Sequence, residues 1–276
     1  MLTARFPNVD YSKRSKGPAV GSDSPAVDAF GRWRISDPHT IFDSKLLGNS
    51  GPYTWDDVEV SGSGTSSTYN ANQSSVTLAV ESQTAGVRVR QTRQHINYQP
   101  GKSQLIMISG VLGAGLPGIT RRIGYFDDKN GLFFELAGTT LRVVRRSYTA
   151  GYTVDIPVSQ EVWNVDKLDG TGPSGIDIDV SKIQVFFIDF EALLSGSVRF
   201  GLVIDGQMII VHRLSHANVL TRPYIQSPNQ PVRYELINDG TGDAADLVCV
   251  CAQSLSAKVG PIHLALRLEL IVAPPR

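Results

Sequence analysis

The chain lacks the features by which a sequence alone declares a membrane, an export route or a nucleic acid as its destination. No apolar run approaches the ~18–20 residues of a spanning helix. The N-terminal stretch MLTARFPNVDYSKRSKGP has no apolar core of the signal-peptide kind. These absences predict synthesis in a cytoplasm, no export by that route and no membrane insertion. A surplus of one charge is missing too: 26 basic residues face 26 acidic ones. No net field draws the chain to nucleic acid, and no nucleic-acid partner is expected. Cysteine is scarce. Cys249 and Cys251 stand at i and i+2 in an apolar run, which on one strand projects both to the same face, a poor geometry for bridging each other. They read as two small buried thiols.

Helical periodicity is the next absence. No amphipathic stretch of roughly 10–15 residues occurs, and short helical turns are expected only near 161–166 and 192–195. What fills the chain from Ile41 onward is strand after strand. SSVTLAVESQ alternates through Val76, Leu78 and Val80 as a half-buried strand should. About a dozen such runs follow, from GVRVRQTRQHINY to DLVCVCAQSLSA and IHLALRLELIVA, most of them punctuated by Gly, Asn, Asp or Pro. Asn130-Gly131 and Asp205-Gly206 read as tight hairpin turns, and Gly138 as a third. The Gly/Ser/Asn-rich segment 48–75 reads as a surface loop around one short strand. Many short strands without helices indicate an all-β fold, an antiparallel β-sandwich or jelly roll over residues 41–276. Residues 1–40 differ: without any period, and with isolated anchors at Phe6, Tyr11, Phe30 and Trp33, they read as an extended N-terminal arm ordered by contacts.

Chemistry is tested motif by motif. PGKS at 100–103 invites a phosphate loop, but the required upstream glycine position holds Ile96 and no helix follows. Asp189 and Glu191 in FFIDFEAL would share a strand face about 7 Å apart at the backbone, whereas a retaining glycosidase wants its carboxylates roughly 5 Å apart. The third acid that laminarinase-type jelly rolls carry two positions earlier is Phe187 here. Asp166, Asp169, Asp177 and Asp179 offer calcium an oxygen-rich loop, without EF-hand spacing; turns with Asx hydrogen bonds are the simpler reading. Of the histidines at 39, 95, 212, 216 and 263, His212 and His216 are a close pair, but at i and i+4 rather than the i and i+2 of a strand site. No catalytic residue, metal or cofactor is assigned. The arginines of RQTRQH, TRRIGY and RVVRRS fall on predicted strands, where cross-strand ion pairs or subunit contacts are expected.

The runs AFGRWRISDPHTIFDSK (29–45), YQPGKSQLI (98–106), RRIGYFDDKNGLFFEL (121–136), WNVDKLDGTGPSGIDID (163–179) and FFIDFEALLSGSVRFGLVIDG (186–206), with HAN…PVRYEL (216–236), resemble a group of virion structural proteins of tailed bacteriophages. The resemblance covers roughly residues 29–255. It implies a place in the particle and transfers no catalytic residue. The expected fold is a concanavalin-like sandwich with its arm. The expected function is that of a non-enzymatic capsid-associated (decoration or fibre) or tail subunit, with the virion as its location. Its partners would be other copies of itself, in a trimer or higher ring, and other virion proteins. Phe6, Tyr11, Phe30, Arg32, Trp33, Arg34 and Phe42 are the assembly-interface candidates. The C-terminal LALRLELIVAPPR would close a sheet edge or pair with the next subunit. The alternative is a carbohydrate-binding attachment protein with a host surface glycan as partner, using Tyr53, Trp55, Tyr69 or Tyr148 as stacking platforms. A polysaccharide hydrolase built on Asp189 and Glu191 ranks below it.

Overall fold

Alternation of apolar and polar residues along the predicted strands settles the architecture, seen here in a computed structural model that describes residues 38–257 apart from Gly101 and Ala192. The arm up to residue 37 and the run IHLALRLELIVA lie outside the described residues. The strands are β1 (Pro38–Ser44), β2 (Trp55–Gly62), β3 (Thr65–Asn70), β4 (Ser75–Val80), β5 (Gly86–Thr92), β6 (Ser103–Val111), β7 (Ile119–Phe126) and β8 (Gly131–Ala137). They continue as β9 (Thr140–Ser147), β10 (Val154–Ser159), β11 (Gln184–Glu191), β12 (Val198–Ile204), β13 (Gln207–Leu214), β14 (Val232–Asn238) and β15 (Ala245–Ala257). One sheet has eight strands in the order β13-β12-β11-β6-β15-β4-β3, with β1 added to β15. The other has seven, β10-β9-β8-β7-β14-β5-β2. All neighbours are antiparallel, so the expected sandwich is what forms.

The two sheets close on an apolar layer drawn from alternate residues. Val76, Leu78 and Val80 of β4 are all buried in it, as their spacing required. Phe134 meets Phe186 at 4.9 Å and Phe200 at 5.5 Å across the gap between sheets. Rings of this size bury about 150–250 Å² each and carry much of the core's stabilisation.

Several local expectations change. The segment 48–75 is not a loop around one strand: it holds all of β2 and β3, the outermost strands of the two sheets on one side. Edge strands are largely exposed, so Ser, Thr and Gly suffice there and the apolar alternation that marks inner strands is absent. β1 begins at Pro38, inside the segment assigned to the arm. RQHINY leaves the ladder after Thr92. Of the two places expected to hold helical turns, one has a three-residue 3-10 turn at Gln160–Val162. Near 194 the chain is not helical and Leu194 takes a φ of 56°; a further short turn lies at Ala71–Gln73.

Turn chemistry divides in the same way. Asp205 and Gly206 both have positive φ, 50° and 76°, as a two-residue type I′ hairpin demands. Asn130 does not. The loop there is Asp127–Asn130, closed by Asp127 Oδ1 accepting from the Lys129 and Asn130 amides, both at 2.7 Å. Gly131 has a positive φ, 145°, and closeness requires it too, since a Cβ on it would lie 2.1 Å from Phe126 Cβ.

The cysteines do not share a face. The β15–β6 register shifts between Cys249 and Ala252, so Leu247 and Cys249 point into the core before the bulge and Ala252 and Ser254 after it. Cys249 is buried, which raises its thiol pKa, and Cys251 is exposed. Ser109 fills the bulge: its hydroxyl accepts from the Cys251 amide at 3.0 Å.

The registers bring five loops to one end of the sandwich: 93–102, 127–130, 148–153, 192–197 and 215–231. Pro38 pairs with Ala257 at this same end. The buried Tyr125 hydroxyl ties two of the loops, lying 2.9 Å from Ile96 O and 3.0 Å from Pro228 O while accepting from the Gln230 amide at 3.1 Å. Tyr125→Phe leaves that buried amide without its acceptor. Urea unfolding is expected to show a loss of about 1–3 kcal/mol; an unchanged midpoint would show that the hydroxyl does not hold the loops.

Candidate functional site

The outward face of the seven-stranded sheet carries Arg122, Arg142 and Arg146 of the arginines singled out in the sequence, joined by Arg233, while Arg90, Arg121 and Arg145 turn inward. Between β14, β7, β8 and β9 they alternate with acids in one chain of contacts. Arg233 reaches Asp128 at 2.7 Å and Glu235 at 2.5 Å; Arg122 reaches Glu235 at 2.5 Å and Glu135 at 2.7 Å; Arg142 reaches Glu135 at 3.0 Å. Arg146 pairs with Asp155 through two contacts of 2.8 Å. The guanidinium carbons of Arg122, Arg146 and Arg233 lie 5.2–5.7 Å from the ring centroids of Phe126 and Phe133. Cross-strand pairing within the subunit is thus the main use of these residues. Three arginines and three acids alternate along the main chain of contacts, so the face holds no excess charge for an anionic polymer.

Most residues proposed for chemistry are occupied elsewhere. Asp189 is buried and pairs with Arg199, its cross-strand partner, at 2.5 Å, which fixes it as a structural carboxylate instead of a nucleophile poised beside Glu191. The acidic loop forms turns. Asp166 accepts from the Leu168 and Ser174 amides, Asp169 from Thr171 and Asp179 from Ser181. Among the described residues no three His, Cys, Asp or Glu side chains group as metal ligands would. His212 and His216 do not form a site: His212 Nδ1 accepts from the Asn164 amide at 3.2 Å, whereas His216 Nδ1 donates to Gly196 O at 2.7 Å and its ring stacks on Tyr224.

The aromatic and interface candidates separate by exposure. Trp55 is buried against Phe42, Tyr234 and Arg90 and donates to Ser44 Oγ at 2.8 Å, so it is a core residue and not a platform. Tyr69 packs against the core with its hydroxyl donating to Leu46 O. Phe42 is half-buried on the same core and anchors β1 within its own domain. Phe6, Tyr11, Phe30, Arg32, Trp33 and Arg34 lie outside the described residues. Tyr53 is 94% exposed. Tyr148 stands among the gathered loops with the Lys129 ammonium 5.1 Å from its ring centre.

That loop end carries the best-formed candidate site. The buried Asn130 side chain joins three loops, its Oδ1 accepting from the Tyr148 amide at 3.2 Å and the Gln226 amide at 2.9 Å. Tyr224 adds two ties to the 192–197 side, its amide donating to Leu194 O and its hydroxyl to Glu191 O, both 3.0 Å. Between the tied loops lie two adjoining hollows that share Thr149 and Pro223. One, of about 210 Å³, reaches down to Arg145; the other, of about 370 Å³, is walled by Tyr148, Leu194 and Gln226. A larger groove of about 690 Å³ follows β1 along Thr40, Asp43 and Lys45, past Met107 and Cys251. Sequence reasoning missed Asn130's role, Arg145 and Tyr224, because what distinguishes them is the company the fold gives them.

An antiparallel β-sandwich with five loops gathered at one end is the class that fold and site define. No protein-family model and no curated protein matches the chain. Among solved structures it is similar to the binding domain of botulinum neurotoxin DC in complex with SialylT, at 9% identity and a TM-score of 0.45 over 78% of this chain and 47% of that one. It is similar also to the botulinum neurotoxin serotype C1 binding domain, at 12% identity and a TM-score of 0.44 over 81% and 49%. The chain spans about half the length of these structures. Likenesses this remote transfer no ligand to it.

Two outcomes follow from the charged groups. Glu235→Gln removes a carboxylate shared by two arginines, and chemical denaturation is expected to show a loss of about 3–5 kcal/mol. A loss under about 1 kcal/mol would mean that the pairing is solvent-screened. His216 is held down to about 4, first by burial, with the Arg145 charge adding to it. The folded state keeps the neutral ring, so its contribution is present above about pH 6.5 and is lost as pH falls toward about 4. Across that window His216→Gln is expected to show a shallower stability decline than the parent protein.

Proposed function

We propose that this chain is a non-enzymatic structural subunit of a tailed-phage particle, a capsid-associated decoration or fibre subunit or a tail subunit, acting through contacts with copies of itself and with other virion proteins. The family resemblance over residues 29–255 suggests the particle. The geometric observation that supports contact is the pairing of Pro38 with Ala257 at the end where five loops gather. The described chain thus begins and ends, at Pro38 and Ala257, on the loop-bearing end. An arm at that place suits strand addition to a neighbouring sheet, and Phe6, Tyr11, Phe30, Arg32, Trp33 and Arg34 are the anchors it would use.

A second reading, contact with a host surface glycan, draws on Tyr148 and the paired hollows. It uses the same end of the molecule and fits a tail fibre or baseplate position. Its chemical test is given with the inference below.

Deletion of residues 2–28 leaves β1 intact. The truncated protein is expected to fold, with an unchanged melting temperature, but to fall below wild-type occupancy when purified particles are imaged. Wild-type occupancy of the truncated chain would overturn the lacing role of the arm.

A further inference from the structure

We infer that the hollow beside Arg145 binds the carboxylate of an acidic sugar residue; this deepens the glycan reading of the loop end and rests on it. The argument begins with two adjacent arginines. In β9 successive side chains face opposite ways, so Arg146 joins the outward face and Arg145 follows Val143 toward the interior. Arg146 has its acid, Asp155. Arg145 is 9% exposed, yet among the described residues no carboxylate lies within ion-pair distance of it, and its Nε has no hydrogen-bond partner. Tyr224 and the neutral ring of His216 are the groups that share its electrostatic surroundings.

A guanidinium in that position is costly to hold without a counter-charge. Its planar fork of donors matches a carboxylate in two parallel bonds better than it matches any neutral group. The rest of the hollow suits a sugar ring. The Ser147 and Thr149 hydroxyls lie 3.0 Å apart at its rim. Ile156 and Pro223 form an apolar wall for the ring's C–H face, and the exposed Arg222 marks the mouth. About 210 Å³ admits one ring, and the second hollow, with Tyr148, continues the path for a neighbouring residue.

The test is titration of the full chain with sodium glucuronate and sodium N-acetylneuraminate, followed by amide NMR. Parallel arms use the methyl ester of glucuronate, N-acetylaspartate N-methylamide as an acidic-peptide mimic, inorganic phosphate and neutral glucose. At least one sugar acid is expected to bind saturably and to move the amides of Ser147 and Thr149. Esterification and Arg145→Met are each expected to weaken that binding at least ~tenfold, with Arg145→Lys falling between. Arg145→Met is expected to melt no lower than the parent, since it removes an uncompensated buried charge. Equal binding of the ester, or undiminished binding to Arg145→Met, overturns the inference. So does phosphate or the aspartate mimic binding as tightly as the sugar acids. Binding of glucose but of neither acid sinks the inference and leaves the glycan reading standing; binding of no sugar sinks both.

Discussion

Phe134 of β8 touches Phe186 of β11 and Phe200 of β12, and the rest of the molecule depends on that closure of one apolar sheet face upon another. Once alternate residues of each inner strand are committed inward, the residues between them must face out, whatever they are. The sequence meets that requirement differently on its two sheets. The seven-stranded sheet turns arginines outward and answers them with an equal number of acids, Glu135, Glu235, Asp128 and Asp155, over a floor of Phe126 and Phe133. The eight-stranded sheet turns out Phe187, which lies against the Cα of Gly201 on the next strand, and pairs Asp189 with Arg199 beside it.

This arrangement explains why residues that look chemical in sequence are quiet in the fold. A carboxylate held by an arginine inside a sheet is a structural element: its charge is answered, and its position is fixed by two strands. Such networks add modestly to stability, yet breaking one member leaves another charge buried and alone. The reactive potential of the molecule is therefore moved from the sheets to their ends, where loops cross and side chains meet partners from distant parts of the chain.

Legibility in the sequence follows the same division. Val76, Leu78 and Val80 revealed β4 because inner strands must alternate, and Asp205-Gly206 revealed its hairpin because few residues accept positive φ. β2 and β3 were hidden because an edge strand has no such obligation. The bulge at Cys251 was hidden because one inserted residue reverses the parity of all that follow it, and only the partner strand records the insertion. At the site, Arg145 and Arg146 are indistinguishable neighbours in RVVRRS. What separates them is that Asp155 lies across from one, whereas among the described residues no carboxylate lies within ion-pair distance of the other. Trp55 and Phe42 went the opposite way: aromatics beside Gly and Asp looked available, and the fold packed them against Tyr234 and each other.

The type I′ hairpin at Asp205-Gly206 stands at the far end of β12 and β13 from the five gathered loops and from Pro38 and Ala257. It is a two-residue connection with open space around Gly206, and it joins the edge strand β13 to β12, which β11 holds on its other side. A peptide grafted into it would stand a whole strand's length from every surface assigned to contact. The molecule thus has a natural handle, a place where an affinity tag or a fluorophore reports on the protein from the end opposite its gathered loops.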